Sequence, residues 1–554
     1  MRTLVLLAFL TIFVVHIGAA VQIIEFCPDP YLPDDLDEYI VLSGHGSLDG
    51  VTISDNHGGF RFPPGTAIDG TVTVARSGPA YAQTHGPNPD FEWLDYSPAI
   101  PNVISGDPLR LANARDELRL YERGNLVQKV VWPGDVKPRE GQIHFQKNGL
   151  WDPRPLLIGQ SRFSPETYTN VTVTAFVLPD NSDEQFSYAV DHASEEILLN
   201  VYEFSSPTIA DSLTAARARG VNITVLVEGG PVGGISPSEK AMIARLNQSG
   251  IVTLQMAAPK GGHAPYRYDH AKYLVIDRKA VLLTSENFKF SGFPPPGVSG
   301  NRGWGVYLED PALAGYFSTV FSSDISHGSI GPITGTPGPA EQVAAASRAV
   351  EFHPQRFAGA TVVPVIAPDT SDQITRLLES AQSEIEIEQA YITNETPATL
   401  NPYLATAINA SRRGVHVRIL LDSYWYNTDG TNDNDEMVLL INRIATTEHL
   451  PLEARCADLH LNEIEKIHNK GVIVDMRCVL VSSINWNSNS PNFNREAGVI
   501  IDHPGVARYF TEVFEDDWNP SSNIPAKPAD YLKYVVVVIV IALLLLVYYR
   551  RSRY

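Results

Sequence analysis

"HAKYLVID" fills residues 270–277, and "HNKGVIVD" fills residues 468–475. Both spell His-x-Lys, four residues, Asp. Around the first, "YLVI" before Asp277 and "AVLLT" after Lys279 are apolar runs flanking a charged break. Such runs predict two buried strands of a hairpin. With Arg278-Lys279 as the turn, Lys272 falls opposite Ser285 and His270 opposite Asn287. All four then share one face at the open end of the hairpin. With Met476-Arg477 as the second turn, Lys470 meets Ser483 and His468 meets Asn485 in the same register. Asp277 and Asp475 have the opposite parity and are expected to be structural. Neither turn dipeptide is of the favoured Asn-Gly kind.

The repetition extends far beyond the motif. "VTVTAFVLPDNSD" is echoed by "TVVPVIAPDTSD", "ILLNVYEF" by "IEIEQAYI", and "LTAARARGVNITVLVEG" by "LATAINASRRGVHVRILLDS". Asp180 and Asp369 correspond, as do Gly220 and Gly414. The chain therefore carries an internal duplication with a period of roughly 190 residues. Strands alternate with helices in each copy, which predicts an α/β sheet in each half. The first half is placed at 170–325 and the second at 346–520, joined by a Gly/Pro-rich linker at 326–345.

Each half thus offers an imidazole, an ammonium, a hydroxyl and a carboxamide at one end of a hairpin. Lysine, serine and asparagine are donors suited to phosphoryl oxygens. Two lysines offset the charge that grows during phosphoryl transfer. Two histidines can divide the labour, one attacking phosphorus and the other moving the proton. This chemistry calls for no metal and no cofactor.

Two His-x-Lys-x4-Asp motifs, each followed by Ser-x-Asn within a duplicated α/β body, resemble the phospholipase D superfamily over roughly residues 170–520. The resemblance implies two similar halves meeting at one active site, so that a monomer suffices, and a phosphohistidine intermediate. It implies catalytic roles for His270, Lys272, Ser285 and Asn287, then His468, Lys470, Ser483 and Asn485, with Asp277 and Asp475 supporting the motifs. Thr284 and Ser482 stand where the family usually has glycine. The family also places a downstream acid against a catalytic histidine. Glu496 in "NREAGVII" fits that place, whereas "NRGWGVYL" has Gly303 there. The halves are therefore expected to be unequal, with Glu309 or Asp310 as stand-ins in the first. Which histidine receives Glu496 is left open, and His270 is taken as the nucleophile. Arg302 and Arg495 recur beside the site, where either phosphate contact or structural pairing would suit them. Tyr266 and Tyr268 suit either the lining of an entrance or strand packing, and His263 reads as a loop histidine rather than a pocket residue.

Residues 21–137 read as short strands between Gly, Asp, Asn and Pro turns, an all-β sandwich. "LDGVTISDNHGGFRFPPGTAIDGTVTVAR" resembles the lamin-tail domain, an immunoglobulin-like fold. Residues 138–169 read as a linker. The start, "MRTLVLLAFLTIFVVHIGAA", has a signal-peptide layout over 1–20. Residues 521–532 read as a second linker and 533–549 as a single transmembrane helix. Arg550, Arg551 and Arg553 then place the tail 550–554 in the cytoplasm and the body outside it, at the cell membrane. The fold expected is thus a β-sandwich, a duplicated α/β body and one membrane helix.

The formal net charge is −21. It excludes a broad basic footprint for nucleic acid, and with the anchor it favours a phospholipid substrate. Hydrolysis of a phospholipid head group is the leading reading. A phosphatidyltransferase, a nuclease and a non-catalytic surface binding protein remain as alternatives. Cys27, Cys456 and Cys478 fit either one bridge, Cys456 to Cys478, or small buried thiols. The acidic run Thr428–Glu436 reads as a solvated loop rather than a calcium site.

Overall fold

The computed structural model describes residues 21–132, 139–260, 262–339, 346–396, 399–431 and 433–520. The signal peptide, the membrane helix and the cytoplasmic tail expected from the sequence lie outside these residues. No helix among the described residues is long and apolar enough to cross a membrane.

The N-terminal region is a sandwich of two sheets. One runs Leu150–Trp151, Gln142–Lys147, Gln22–Cys27, Tyr39–Ser47, Ala67–Ala75, Phe91–Glu92. The other runs Ile104–Ser105, Gly59–Arg61, Val51–Ser54, Asp116–Glu122, Asn125–Trp132. Alternate residues such as Phe26, Ile40, Val74, Leu118 and Trp132 point inward and form the core. The region read as a linker from 138 to 169 contributes to this sandwich. Gln142–Lys147 pairs antiparallel with Gln22–Cys27, Glu25 lying opposite Phe145. Its hairpin to Leu150–Trp151 turns on Asn148-Gly149, both at positive φ. Asn-Gly is the strongest short hairpin signal, and it marks this strand in the sequence.

The duplicated body is not two sheets but one of fifteen strands. From its first edge the order is Ile330–Pro332, Val252–Met256, Asn222–Glu228, Glu196–Val201, Lys272–Ile276, Ala280–Thr284, Gly303–Glu309, Tyr168–Leu178. The second half follows as its mirror in order: Gln355–Ala367, Glu496–Asp502, Cys478–Ser482, Lys470–Val474, Glu384–Gln389, His416–Leu421, Leu452–Cys456. Tyr168–Leu178 and Gln355–Ala367 pair antiparallel at the centre. One sheet face carries a core drawn from both halves, where helices Pro311–Ile325 and Pro504–Trp518 pack. Trp304 of the first half stacks on Phe510 of the second with ring centroids 4.6 Å apart. The opposite face is covered separately in each half.

Both motif hairpins form, one residue out of the expected register. Ile276 pairs with Ala280 and Tyr273 with Leu283; Val474 pairs with Cys478. The turns therefore hold three residues, not two. Asp277 and Arg278, like Asp475 and Met476, adopt positive φ. The motif aspartate draws the chain into this turn. Asp277 accepts from the backbone N–H groups of Ser194, Glu195 and Glu196 at 2.8–2.9 Å and from the Ser194 hydroxyl at 2.7 Å. Asp475 does the same for Gln382, Ser383 and Glu384. A one-residue slip exchanges the faces of one strand. Continued outward, the ladder sets Lys272 beside Thr284 and Lys470 beside Ser482, not beside Ser285 and Ser483.

Two arginines staple the halves reciprocally, and neither is a phosphate contact. Arg302 is fully buried and donates to Asp517 at 2.7 and 3.1 Å. Arg495, also fully buried, donates to Asp324 at 2.9 Å and to the Ala367 carbonyl at 3.0 Å. Removing one member strands the other charge in the interior. Arg302→Met is expected to cost about 3–5 kcal/mol, read by chemical denaturation; a loss below ~1 kcal/mol would contradict the staple. The cysteines form no bridge. Cys478 and Cys456 lie on strands four ladder steps apart, ~19 Å at the usual spacing. The run Thr428–Glu436 leads into helix Asn434–Glu448.

Candidate active site

Each motif histidine stands where its own chain is met by a segment from the opposite half. Arg267 and His270 donate backbone N–H groups to the carbonyls of Phe493 and Arg495, both at 2.8 Å, and Arg495 N–H returns one to Tyr268 at 2.9 Å. In the mirror place, Arg302 N–H donates to Lys466 and His468 N–H to Arg302, both at 2.8 Å. The two ladders bring both imidazoles to one site at the centre of the body.

The first ladder delivers Glu496 to His270. His270 Nδ1 lies 2.8 Å from Glu496 Oε2. That carboxylate also accepts from the Ser483 hydroxyl at 2.6 Å and from Asn494 Nδ2 at 3.0 Å. The open question of which imidazole receives Glu496 is thus answered, and it is the one from the opposite half.

The second ladder should deliver residue 303, a glycine. The carboxylate at His468 comes instead from Glu286, which pairs with His468 Nδ1. Glu286 is buried and accepts from Asn301 Nδ2 at 3.0 Å. Asn301 precedes Gly303 as Asn494 precedes Glu496. Glu286 is the middle residue of Ser285-Glu286-Asn287; the second copy has Ile484 there, fully buried among apolar groups. The carboxylate has moved from one position to the other, and Gly303 makes room for it. A Cβ at residue 303 would stand 2.8 Å from Ser285 Oγ and 3.1 Å from Glu286 Cγ. Glu309 and Asp310, the stand-ins read from the sequence, are elsewhere. Glu309 pairs with Arg356 at 2.9 Å, and Asp310 caps helix Pro311–Ile325. The expected inequality of the halves is therefore one of position, not of charge.

Lys272 and Lys470 are fully buried, and each ammonium donates to the carbonyl of its own motif histidine at 2.6 Å. Burial draws Lys272 down to about 8. Burial and the neighbouring charge of Lys272 draw Lys470 well below the ordinary lysine value. Burial also lowers both imidazoles. Burial opposes ionisation of Glu286, but His468, Lys466 and Lys470 outweigh it and hold that carboxyl down at about 2. Lys466 was not singled out in the sequence. It lies against this cluster and donates to the Tyr426 hydroxyl at 2.9 Å.

The serines are spent on structure rather than offered to a ligand. Ser285 Oγ accepts from Trp304 N–H and Ser483 Oγ from Ala497 N–H, both at 3.0 Å. Asn287 donates to Glu203 at 3.0 Å. The Oδ1 atoms of Asn287 and Asn485 are buried without a protein partner among the described residues. Tyr266 is buried under Arg495, with the guanidinium carbon 4.2 Å from its ring centroid. His263 stacks on Tyr31 of the sandwich at 3.9 Å. Neither lines the site. With Nδ1 of each imidazole held by a carboxylate, Nε2 is the nitrogen left for chemistry.

The family described as "Cardiolipin synthase, PLD-like domain" matches residues 188–325 and 374–518, one stretch in each half. The chain belongs to this family. Relatives of this PLD-like protein include the "Mitochondrial cardiolipin hydrolase" of Mus musculus, 26% identical over 164 residues, 29% of this chain and 64% of that protein. The Homo sapiens protein of the same name is 29% identical over 119 residues, 21% of this chain and 41% of that one. The PLD-like chain thus spans less than two thirds of either relative. Among solved structures, "phosphatidylserine synthase" from Haemophilus influenzae Rd KW20 aligns with a TM-score of 0.46 at 13% identity, covering 62% of this chain and 86% of that one.

Proposed function

We propose that this protein is a phosphodiesterase that hydrolyses phospholipid head groups through a phosphohistidine, without metal or cofactor. The reciprocal arrangement of His270 on Glu496 and His468 on Glu286, with Lys272 and Lys470 buried beside them, carries this reading. His270 Nε2 forms a bond to phosphorus while the bond to the head-group oxygen breaks, and His468 gives that oxygen its proton. His468 then takes a proton from water, the water oxygen bonds to phosphorus, and the phosphorus–nitrogen bond breaks. Burial disfavours the imidazolium of His468, and Glu286, held ionised beside it, works against that burial toward the form a general acid needs. Lys272 offsets the charge on the phosphoryl oxygens. Asn287 and Asn485 complete the site.

The substrate class is supported by the name of the curated relatives, which gives cardiolipin as the lipid those proteins act on. It is also supported by the uncharged run over 534–549, read as an anchor that keeps an extracytoplasmic body at a membrane. An alcohol in place of water would make the same residues a phosphatidyltransferase. Purified full-length protein, with chelator present, is expected to release free head group from phospholipid in mixed micelles. Cleavage of single-stranded DNA with no lipid turnover would overturn the lipid assignment, and loss of activity on adding chelator would overturn the metal-free chemistry.

The free enzyme needs Lys272 charged, and Lys272 is charged below about 8. A plot of kcat/KM against pH is therefore expected to fall on its basic side as pH rises through about 8. Lys272→Arg, which stays protonated, should remove that limb even where it slows turnover. A basic limb unchanged in the variant would assign it to another group.

A further inference from the structure

Two equivalent loops flank the catalytic mouth, and both expose large apolar side chains. In the first half the loop follows strand Asn222–Glu228. Its Val232 is 76% exposed, the most exposed large apolar side chain among the described residues. In the second half the loop follows the equivalent strand His416–Leu421. Its Trp425 is 65% and Tyr426 47% exposed. Each loop is one side chain away from an imidazole. Val232 N–H donates to the Tyr202 hydroxyl at 2.7 Å, and the Tyr202 ring meets His270 edge-on at 4.7 Å. The Tyr426 hydroxyl accepts from Lys466, whose charge acts on both His468 and Glu286.

We propose that Val232 and the Trp425-Tyr426 pair form a rim that seats the catalytic mouth on the surface of a lipid bilayer. The proposal rests on the phospholipid reading above and adds how that substrate is reached. Three observations favour a bilayer over other occupants. Aromatic side chains beside lysine, here Tyr426 on Lys466, suit the boundary between head groups and acyl chains. The chain as a whole carries −21, which disfavours nucleic acid as the occupant and leaves apolar insertion to supply the contact. Finally, the body hands the chain on at the catalytic end. Strand Glu496–Asp502 starts in the site and runs away from it, and helix Pro504–Trp518 returns, bringing Asp517 against Arg302. The uncharged run beginning at Tyr534 follows after residues 521–533, which reach at most ~45 Å.

The test uses full-length protein reconstituted in vesicles of equimolar phosphatidylcholine and phosphatidylglycerol. Hydrolysis of the vesicle lipid is compared with hydrolysis of a short-chain phospholipid kept monomeric in solution. Trp425→Ala and Val232→Ser are each expected to lower the vesicle rate by about tenfold and to leave kcat/KM for the monomeric lipid unchanged. Quenching of tryptophan fluorescence by brominated lipid should drop in Trp425→Ala and persist in Val232→Ser. Equal losses on both substrates, or quenching that Trp425→Ala leaves intact, would overturn the rim. If the parent protein turns over neither lipid, the phospholipid reading fails, and the quenching result still decides the rim by itself. Cleavage of single-stranded DNA that Trp425→Ala abolishes would make the loop a stacking platform for bases and overturn the bilayer as occupant.

Discussion

Alanine at His270 or at His468 is expected to lower kcat for a natural phosphodiester by at least about 10⁴-fold, because residues that act as a unit fail together. The two variants separate on a substrate with a nitrophenolate leaving group, which departs without a proton. His468→Ala keeps the nucleophile and loses the base that activates water. It should release one equivalent of nitrophenol in a burst and retain labelled phosphate on His270. His270→Ala should show neither burst nor label. Label in His270→Ala with none in His468→Ala would reverse the assignment. Turnover without label in either variant would remove the phosphohistidine.

The second large effect concerns Glu286. Glu286→Ile gives the first half the residue that the second half carries at Ile484. Without a carboxylate at Nδ1, His468 loses its fixed tautomer and the partner of its imidazolium. A fall in kcat of about 10³-fold is expected, since replacing the carboxylate of a carboxylate–histidine pair has comparable cost. Adding Gly303→Glu to that variant rebuilds the arrangement around Glu496. A Cβ at residue 303 would lie 2.8 Å from Ser285 Oγ and 3.1 Å from Glu286 Cγ; the double variant removes the competing carboxylate, and Ser285 must shift to donate to the new one as Ser483 does to Glu496. At least about tenfold of the lost activity should return. The single variant Gly303→Glu, with Glu286 in place, should be destabilised, because two carboxylates would share one buried space. Failure of the double variant to recover, with its fold intact by circular dichroism, would show that the site needs Glu286 itself.

The two largest predictions differ in how far sequence could reach them. His270, Lys272, His468 and Lys470 stand out because sparse polar residues recur in step with an otherwise apolar strand pattern, in two copies. Apolar runs and the charged breaks between them are local, so the hairpins and the β–α alternation are legible without tertiary information. The turns are one residue longer than the sequence suggests because Asp277 and Asp475 take their hydrogen bonds from Ser194–Glu196 and Gln382–Glu384, far away in the chain. The same remoteness made Ser285 and Ser483 look like ligands for phosphate when they hold neighbouring strands. Glu286 carried a signal that could have been used. It is a glutamate between Ser285 and Asn287, at the place of Ile484 in the second copy, and it appears in the same copy that lacks the downstream acid.

By itself the sequence determined the duplication, the motif hairpins and the sandwich before them, since each is written in spacing and periodicity. Only the tertiary structure decided which carboxylate meets which imidazole. That choice depends on Asp269–Arg495 and Arg302–Ile467 bridging the two halves, and on the two half-sheets joining along Tyr168–Leu178 and Gln355–Ala367 into a single sheet. The pairings join residues roughly two hundred positions apart in opposite copies, and no local pattern encodes them. The physical reason is the burial of polar groups: each half brings a carboxylate that would be costly alone in the interior, and the other half supplies the imidazole that partners it there.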